Sequence, residues 1–207
     1  RGSVPTLLVI SRPLSLATAV WPGDRPMEWA WTTRKGDTMA VNLGAFSMST
    51  HAGTHADAPL HVQSDGASID ALPLEAFVGP ALVINVDAPI IHPEHVPSSS
   101  PPRVLFRTPH SHLSADAWDP DWTPLDPNTV QALRERDVVL MGTDAPSVDP
   151  IDSTDLPAHH ALIEAGIVTL ENLALADISP GRYELLALPL SLPGADAAPV
   201  RAVLRTE

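Results

Sequence analysis

The chain is expected to fold as one mixed α/β domain, and three observations point there. Its last third alternates apolar β-type runs with a helical stretch: Val138–Gly142, then Leu156–Ala165, then Ile167–Leu170. That is the pattern of strands joined by helices. Its 207 residues, 44% of them apolar, suit a single core. Its 23 prolines gather at the ends of the apolar runs, with no repeat or linker, so they mark ordered loops rather than disorder.

Taken in order, Thr6–Ile10 is an apolar β-type run stopped by Arg12-Pro13, and is expected to be the first strand. Val20-Trp21-Pro22-Gly23-Asp24 is a turn with a large aromatic at its head. Trp29 and Trp31 alternate around Ala30, which places both rings on one face of a strand. Thr38–Leu43 and Phe46–Ser49 read as two strands, and Ser64-Asp65-Gly66 as a turn. Leu72–Phe77 is expected to be a short helix and Gly79–Val86 a buried strand. Residues 89–102 are Pro, Ser and His with little apolar periodicity, hence a loop. Val104–Arg107 is a short strand, and 109–127, with Trp118 and Trp122, is a second long loop of the kind that forms lids or interfaces. Pro127–Glu135 is a helix with Asp126 or Asn128 as cap. Gly166 stops the helix before Ile167, and Tyr183–Leu190 and Pro199–Leu204 are further strands. Arg1-Gly2-Ser3 reads as a vector remnant, which puts the domain at 4–207.

Composition excludes several function classes. A formal net charge of −13 without a basic run argues against nucleic acid and against an anionic membrane surface. No stretch has the length of a membrane-spanning helix or the form of a signal peptide. No cysteine is present, so no disulfide calls for an oxidising compartment, and the cytoplasm is expected.

The richest stretch chemically is His51-Ala-Gly-Thr-His55-Ala-Asp57-Ala-Pro59-Leu-His61. Three histidines and an aspartate within eleven residues offer imidazole nitrogen and carboxylate oxygen, donors suited to zinc, manganese or iron. On a helix, Asp57 would point to the side away from His55. Pro59 also biases Ala58 away from helical angles, so an extended or irregular loop is expected. Gly53 lets the backbone bend between the first two ligands. His92, His95, His110 and His112 lie in proline-rich or polar segments and read as ordinary loop residues.

Further candidates lie downstream. His159 and His160 open a helix, where adjacent residues point roughly 100° apart, so only one can face a given metal. Glu171 stands at a strand end. Asp144 and Asp149 flank a polar turn at the carboxyl end of a strand, where open α/β sheets place ligands; they serve either as support for the site or as turn caps. Trp21, beside Pro-Gly, is a candidate pocket wall.

The central stretch resembles the His-x-Gly-x-His-x-Asp-x-Pro-x-His signature of the metal-dependent cyclase-like hydrolases, and within them the bacterial kynurenine formamidases (arylformamidases). The likeness extends to the Trp21-Pro-Gly-Asp24 turn, Gly142–Pro150, Ala158-His-His-Ala161, Gly166–Leu173 and Tyr183–Pro189. It implies a swivelling β/β/α domain, normally a homodimer, with two divalent metal ions, zinc first and manganese or cobalt as alternatives. By this resemblance His51, His55 and Asp57 hold one metal, Asp57 bridges to the second, His159 binds the second, and Glu171 contacts both. His61 is then the proton-transfer residue, and Trp21 lines the substrate pocket. Ala52 and Val62 depart from the Thr and the aromatic residue common in relatives.

The implied reaction is hydrolysis of N-formyl-L-kynurenine to L-kynurenine and formate. A formamide resists water because of resonance, and a divalent metal supplies Lewis-acid polarisation and lowers the pKa of bound water towards about 7. An aryl substrate calls for an aromatic wall, for which Trp21 and Phe46 are the candidates. The alternatives are an isatin-type or other amide hydrolase on the same fold, and a non-catalytic protein that binds metal or a small ligand.

Overall fold

The computed structural model describes residues 5–36 and 38–206; residues 1–4, 37 and 207 are outside the description, and with them the tripeptide 1–3. Eleven strands and two α-helices are formed: β1 (Leu7–Val9), β2 (Glu28–Thr33), β3 (Leu43–Ser47), β4 (His55–Asp57), β5 (Val78–Asn85), β6 (Arg103–Arg107), α1 (Thr129–Arg134), β7 (Leu140–Thr143), α2 (Pro157–Glu164), β8 (Val168–Glu171), β9 (Gly181–Leu186), β10 (Ala197–Pro199) and β11 (Val203–Arg205). The mixed α/β class is as expected.

Nine strands make one sheet in the order β1-β11-β9-β5-β6-β7-β8-β4-β10, and β2 and β3 form a separate hairpin. Its centre, β5-β6-β7-β8, is parallel. Parallel neighbours need crossovers, and α1 and α2 supply the last two. The strands on either side of this centre pair antiparallel.

Side-chain alternation on β6 sorts the core into two layers. Val104 and Phe106 face Val130 and Leu133 of α1 and Leu162 of α2. Leu105 faces the other way, into a cluster with Phe77, Leu170, Leu185 and Leu204. That cluster also joins Ile10, from one end of the strand order, to Ala56 and Ala198, from the other. Residues from opposite ends meet only if the sheet curls around them. The backbone hydrogen bond from Ala174 N–H to Ile10 O and the bridge between Ser11 and Leu173 close the curl.

Several expectations are corrected in detail. Thr38–Leu43 and Phe46–Ser49 are not two strands: one strand, β3, spans Leu43–Ser47 and pairs with β2. The run Leu72–Phe77 is 3-10 helical and only over Leu74–Phe77, since Pro73 fixes an extended cap before it. Residues 89–102 are mostly loop, but a 3-10 turn forms at Pro93–His95, and Ile91 and Val96 bury there against α1. Trp29 and Trp31 do share a face, with ring centroids 4.7 Å apart.

Candidate metal centre

His55 and Asp57 are two residues apart on β4, so both project from one face. β4 pairs with β8 in the register His55↔Glu171, which stands Glu171 directly opposite His55. His55 Nε2 lies 3.3 Å from Asp57 Oδ1 and 3.4 Å from Glu171 Oε2. His51 enters from the preceding turn, with Nδ1 3.1 Å from Asp57 Oδ1. That turn depends on Gly53, whose φ is +66°; a Cβ there would meet Leu14 Cδ2 at 2.6 Å.

His159 arrives from the first turn of α2. Its Nε2 lies 3.7 Å from Asp57 Oδ2 and 3.5 Å from Glu171 Oε1. His159 is buried while its neighbour His160 is half-buried, as the 100° step between them requires. Asp149 positions the ring: its Oδ2 accepts from the His159 backbone N–H at 3.0 Å and meets Nδ1 at 2.7 Å, while Oδ1 accepts from Ala158 N–H. Asp149 thus supports His159, and its capping bonds go to the first turn of α2 rather than to its own turn.

Among the described residues three groups of side chains could hold an ion: His51 with His55 and Asp57, Asp57 with His159 and Glu171, and His51 with His61 and Asp196. The first two share Asp57, one oxygen facing each. His61 belongs only to the third, where it is exposed. It sits on the 3-10 turn Pro59–His61, its ring centroid 4.2 Å from that of His51 and 5.6 Å from that of His159. Its Nδ1 is 3.7 Å from Asp196 Oδ2, which also lies 3.0 Å from His51 Nε2.

The residues fit a divalent metal. His55 Nε2 and both carboxylate oxygens of Asp57 are buried with no hydrogen-bond partner. Leaving a buried carboxylate unsatisfied costs several kcal/mol, so it is retained where a cation compensates it. Nitrogen and oxygen donors suit zinc, manganese and cobalt alike.

A cavity of about 410 Å³ stands over the ligands, with His51, His55, His61, His159 and Glu171 on its surface. Trp21 and Trp118 line it, with ring centroids 5.5 Å apart in an edge-to-face arrangement. Trp122 packs behind them, buried, and donates its indole N–H to Asp149 O. The segment 109–127 is therefore a wall of this cavity. Phe46 does not join it: it lies on β3, 60% exposed, outside the lining.

Several cavity or site residues, Asp119 among them, are not singled out by the sequence. Asp196 is 145 residues from His51 and stands alone in a Gly-Ala-Asp turn. Arg12 and His110 look like ordinary loop residues. Trp118 carries only the hint that aromatic residues in long loops often have a task.

The sequence profile of the Cyclase family matches residues 8–150. The chain belongs to the Cyclase family. Within that family it is 56% identical over 205 residues to a protein of Salinibacter ruber named kynurenine formamidase, covering 96% of this chain and 97% of the relative. A solved structure described as a potential metal-dependent hydrolase with cyclase activity superimposes with a TM-score of 0.85 at 27% identity, covering 99% of each chain. Isatin hydrolase A from Labrenzia aggregata superimposes with a TM-score of 0.82 at 26% identity, covering 98% of this chain and 94% of that one.

Electrostatics in this Cyclase family member follow from its buried ion cluster. Burial opposes charge on His55, but Asp57 and Glu171 outweigh it and raise its pKa to about 10. Burial likewise opposes charge on His159, yet Asp149, Asp57 and Glu171 raise it to about 12. Burial alone would raise Asp57; the surrounding histidines hold it well below the usual carboxylate range. For His61, burial wins and lowers the pKa.

Two predictions arise here. Asp149→Ala removes two cap bonds and the partner of His159 Nδ1. Stability to chemical denaturant should fall by about 1–2 kcal/mol, and metal affinity by about 10- to 100-fold. Unchanged affinity in a competition titration would separate Asp149 from the metal site. The second concerns His110, pushed down to about 4 by burial and then by Arg12, against Asp119. Its ordinary value is 6.5. Between these values the unfolded chain binds a proton that the folded chain refuses, so its contribution to stability is lost as pH falls through that window. His110→Gln should lose less stability than the parent between pH 7 and pH 5, measured by urea denaturation; an equal loss would contradict this.

Proposed function

We infer that the chain is a metal-dependent kynurenine formamidase, hydrolysing N-formyl-L-kynurenine to L-kynurenine and formate. The observation that carries this is the full-length 56% identity to a protein of that name, in a chain whose ligand cluster underlies an aromatic-walled cavity. We further propose that two zinc ions would be held here, one by His51, His55 and Asp57 and the other by Asp57, His159 and Glu171; manganese and cobalt fit the same donors. When bound, the metals supply Lewis-acid polarisation of the formyl oxygen and a water of lowered pKa.

The side chains do the rest. Trp21 and Trp118 hold the aryl ring in the cavity, edge and face available for stacking. Asp57 and Glu171 contribute the two negative charges that dications in close proximity require. His61, kept neutral by burial, takes a proton from the attacking water. As the C–O bond forms and the C–N bond breaks, the same ring returns that proton to the aryl amine, a poor leaving group until protonated. Asp196, beside His61 Nδ1, orients the ring.

A homodimer is proposed as well. The β2–β3 hairpin carries Trp29, Trp31, Leu43 and Phe46, each more than a third exposed, an apolar load that favours a partner surface. Among the described residues no helix is long and apolar enough to cross a membrane; the lack of cysteine fits a reducing compartment such as the cytoplasm.

A second reading, isatin-type ring opening, draws on the structural likeness to isatin hydrolase A. One experiment separates them. Formate release and kynurenine absorbance are followed with N-formyl-L-kynurenine before chelation, after it, and with zinc or manganese added back, alongside isatin as a rival substrate. Activity lost to chelator and restored by metal is expected. Metal-replete protein that opens isatin but releases no formate would replace the first reading by the second.

A further inference from the structure

We propose that Arg12, His110 and Asp119 form an amino-acid subsite in the same cavity, Arg12 and His110 receiving the α-carboxylate of the substrate and Asp119 its α-ammonium. The inference rests on the formamidase reading and assigns the part of the substrate that does not react.

A zwitterion leaves water only where both charges find partners. All three residues line the cavity. The Arg12 guanidinium is held by neutral groups: Nη1 donates to Leu113 O at 3.1 Å and Ser114 O at 3.5 Å, and Nη2 donates to Asp144 O at 3.3 Å. Its Nε is buried with no partner. The nearby carboxylate of Asp144 is engaged elsewhere, by Thr108 N–H, Thr108 Oγ1 and Ser111 Oγ. Arg12 is thus a cation fixed by backbone, with donor capacity left for an anion. His110 beside it is held neutral and offers one N–H. Asp119 takes the Asp121 backbone N–H on Oδ1 at 3.0 Å, which leaves Oδ2 for a ligand ammonium.

The placement suits an aryl compound with an amino-acid tail. Ala19 N–H donates to Ala115 O at 2.9 Å, tying the segment that carries Trp118 and Asp119 to the one that carries Trp21. Arg12 N–H donates to Thr54 Oγ1 at 2.8 Å, next to the ligand His55. Arg12, His110 and Asp119 come from the segments that also carry Trp21 and Trp118, whereas His51, His55, His61, His159 and Glu171 come from β4, β8, α2 and the turns beside β4.

The test uses the metal-loaded full chain and two substrates, N-formyl-L-kynurenine and the same formylated aryl ketone without the amino-acid tail. The parent should prefer the tailed substrate in kcat/KM. Arg12→Gln should raise KM for the tailed substrate about 10- to 100-fold more than for the tailless one, the size of one charge-assisted contact. Asp119→Asn should shift KM in the same direction. In parallel, L-kynurenine binding is read from quenching of the tryptophan fluorescence, and both variants should weaken it by the same factors. Equal losses on both substrates would reduce Arg12 to a strut for residues 113–114 and overturn the proposal, as would a parent indifferent to the tail. If Arg12→Gln fails to fold, Asp119→Asn decides alone. Should the parent hydrolyse neither substrate, the formamidase reading fails, while L-kynurenine binding still tests the subsite.

Discussion

His61→Ala should retain its bound metal and lose about 10²- to 10⁴-fold in kcat, the range carried by a positioned acid–base group. His61 stands outside the two groups that share Asp57, so neither proposed metal depends on it. It nonetheless faces the cavity within ring contact of His51. Its side chain is 30% accessible, open enough to exchange a proton with solvent between turnovers. Burial lowers its pKa, so the ring enters the reaction neutral and able to accept. Activity should therefore fall on the acid side as His61 becomes protonated, and that limb should vanish in the variant's residual rate. Metal analysis and kcat are measured on the same preparation. Turnover within a few-fold of the parent, at unchanged metal content, would remove His61 from the mechanism.

Asp57→Asn should produce the largest loss of metal. One carboxylate here serves both ligand groups, with Oδ1 near His51 and His55 and Oδ2 near His159. The substitution removes the shared charge while keeping the size. Affinity should drop by more than the about 10- to 100-fold that follows loss of a supporting partner, and turnover should drop with it. The metal-free protein should be destabilised too. Its charged His55 and His159 lose a buried counter-ion, and breaking a buried pair costs about 3–5 kcal/mol. Metal content is read after dialysis, and stability from denaturant unfolding of the metal-free form. Full occupancy in both groups would end the bridging role.

How much was legible in the sequence depends on how local each feature is. The run from His51 to His61 folds within one turn, one short strand and one 3-10 turn. The clustering of candidate metal ligands is legible there from spacing alone, whereas the sequence predicts only an extended or irregular loop and the structure makes His55–Asp57 a strand whose i and i+2 side chains share a face. Trp29 and Trp31 were readable for the same reason. His159 and Glu171 are distant in sequence from the motif, and their place in the ligand set rests on the resemblance. Pairing brings them to it: register on β8 sets Glu171 against His55, and Asp149 holds the His159 ring.

The misses share one cause. The β-character of Thr38–Leu43 was local propensity without a partner strand, and the β2–β3 pairing overrode it from Leu43 onward. Phe46 was an aromatic residue near the motif in sequence, but pairing with Trp29 carries it onto the exposed hairpin. Asp196 reaches His51 because β10 pairs with β4 in the register Ala197↔Asp57.

The sequence by itself determined a metal-ligand motif, an α/β chain and an acidic, cysteine-free composition, all properties of neighbouring residues or of totals. Only the tertiary structure decided which distant groups complete the site. Arg12, His110 and Asp119 meet in one cavity because the sheet curls until β1 lies beside the strands that carry the ligands. Curling is driven by burial of a core drawn from both ends of the strand order, and no stretch of the chain encodes it alone.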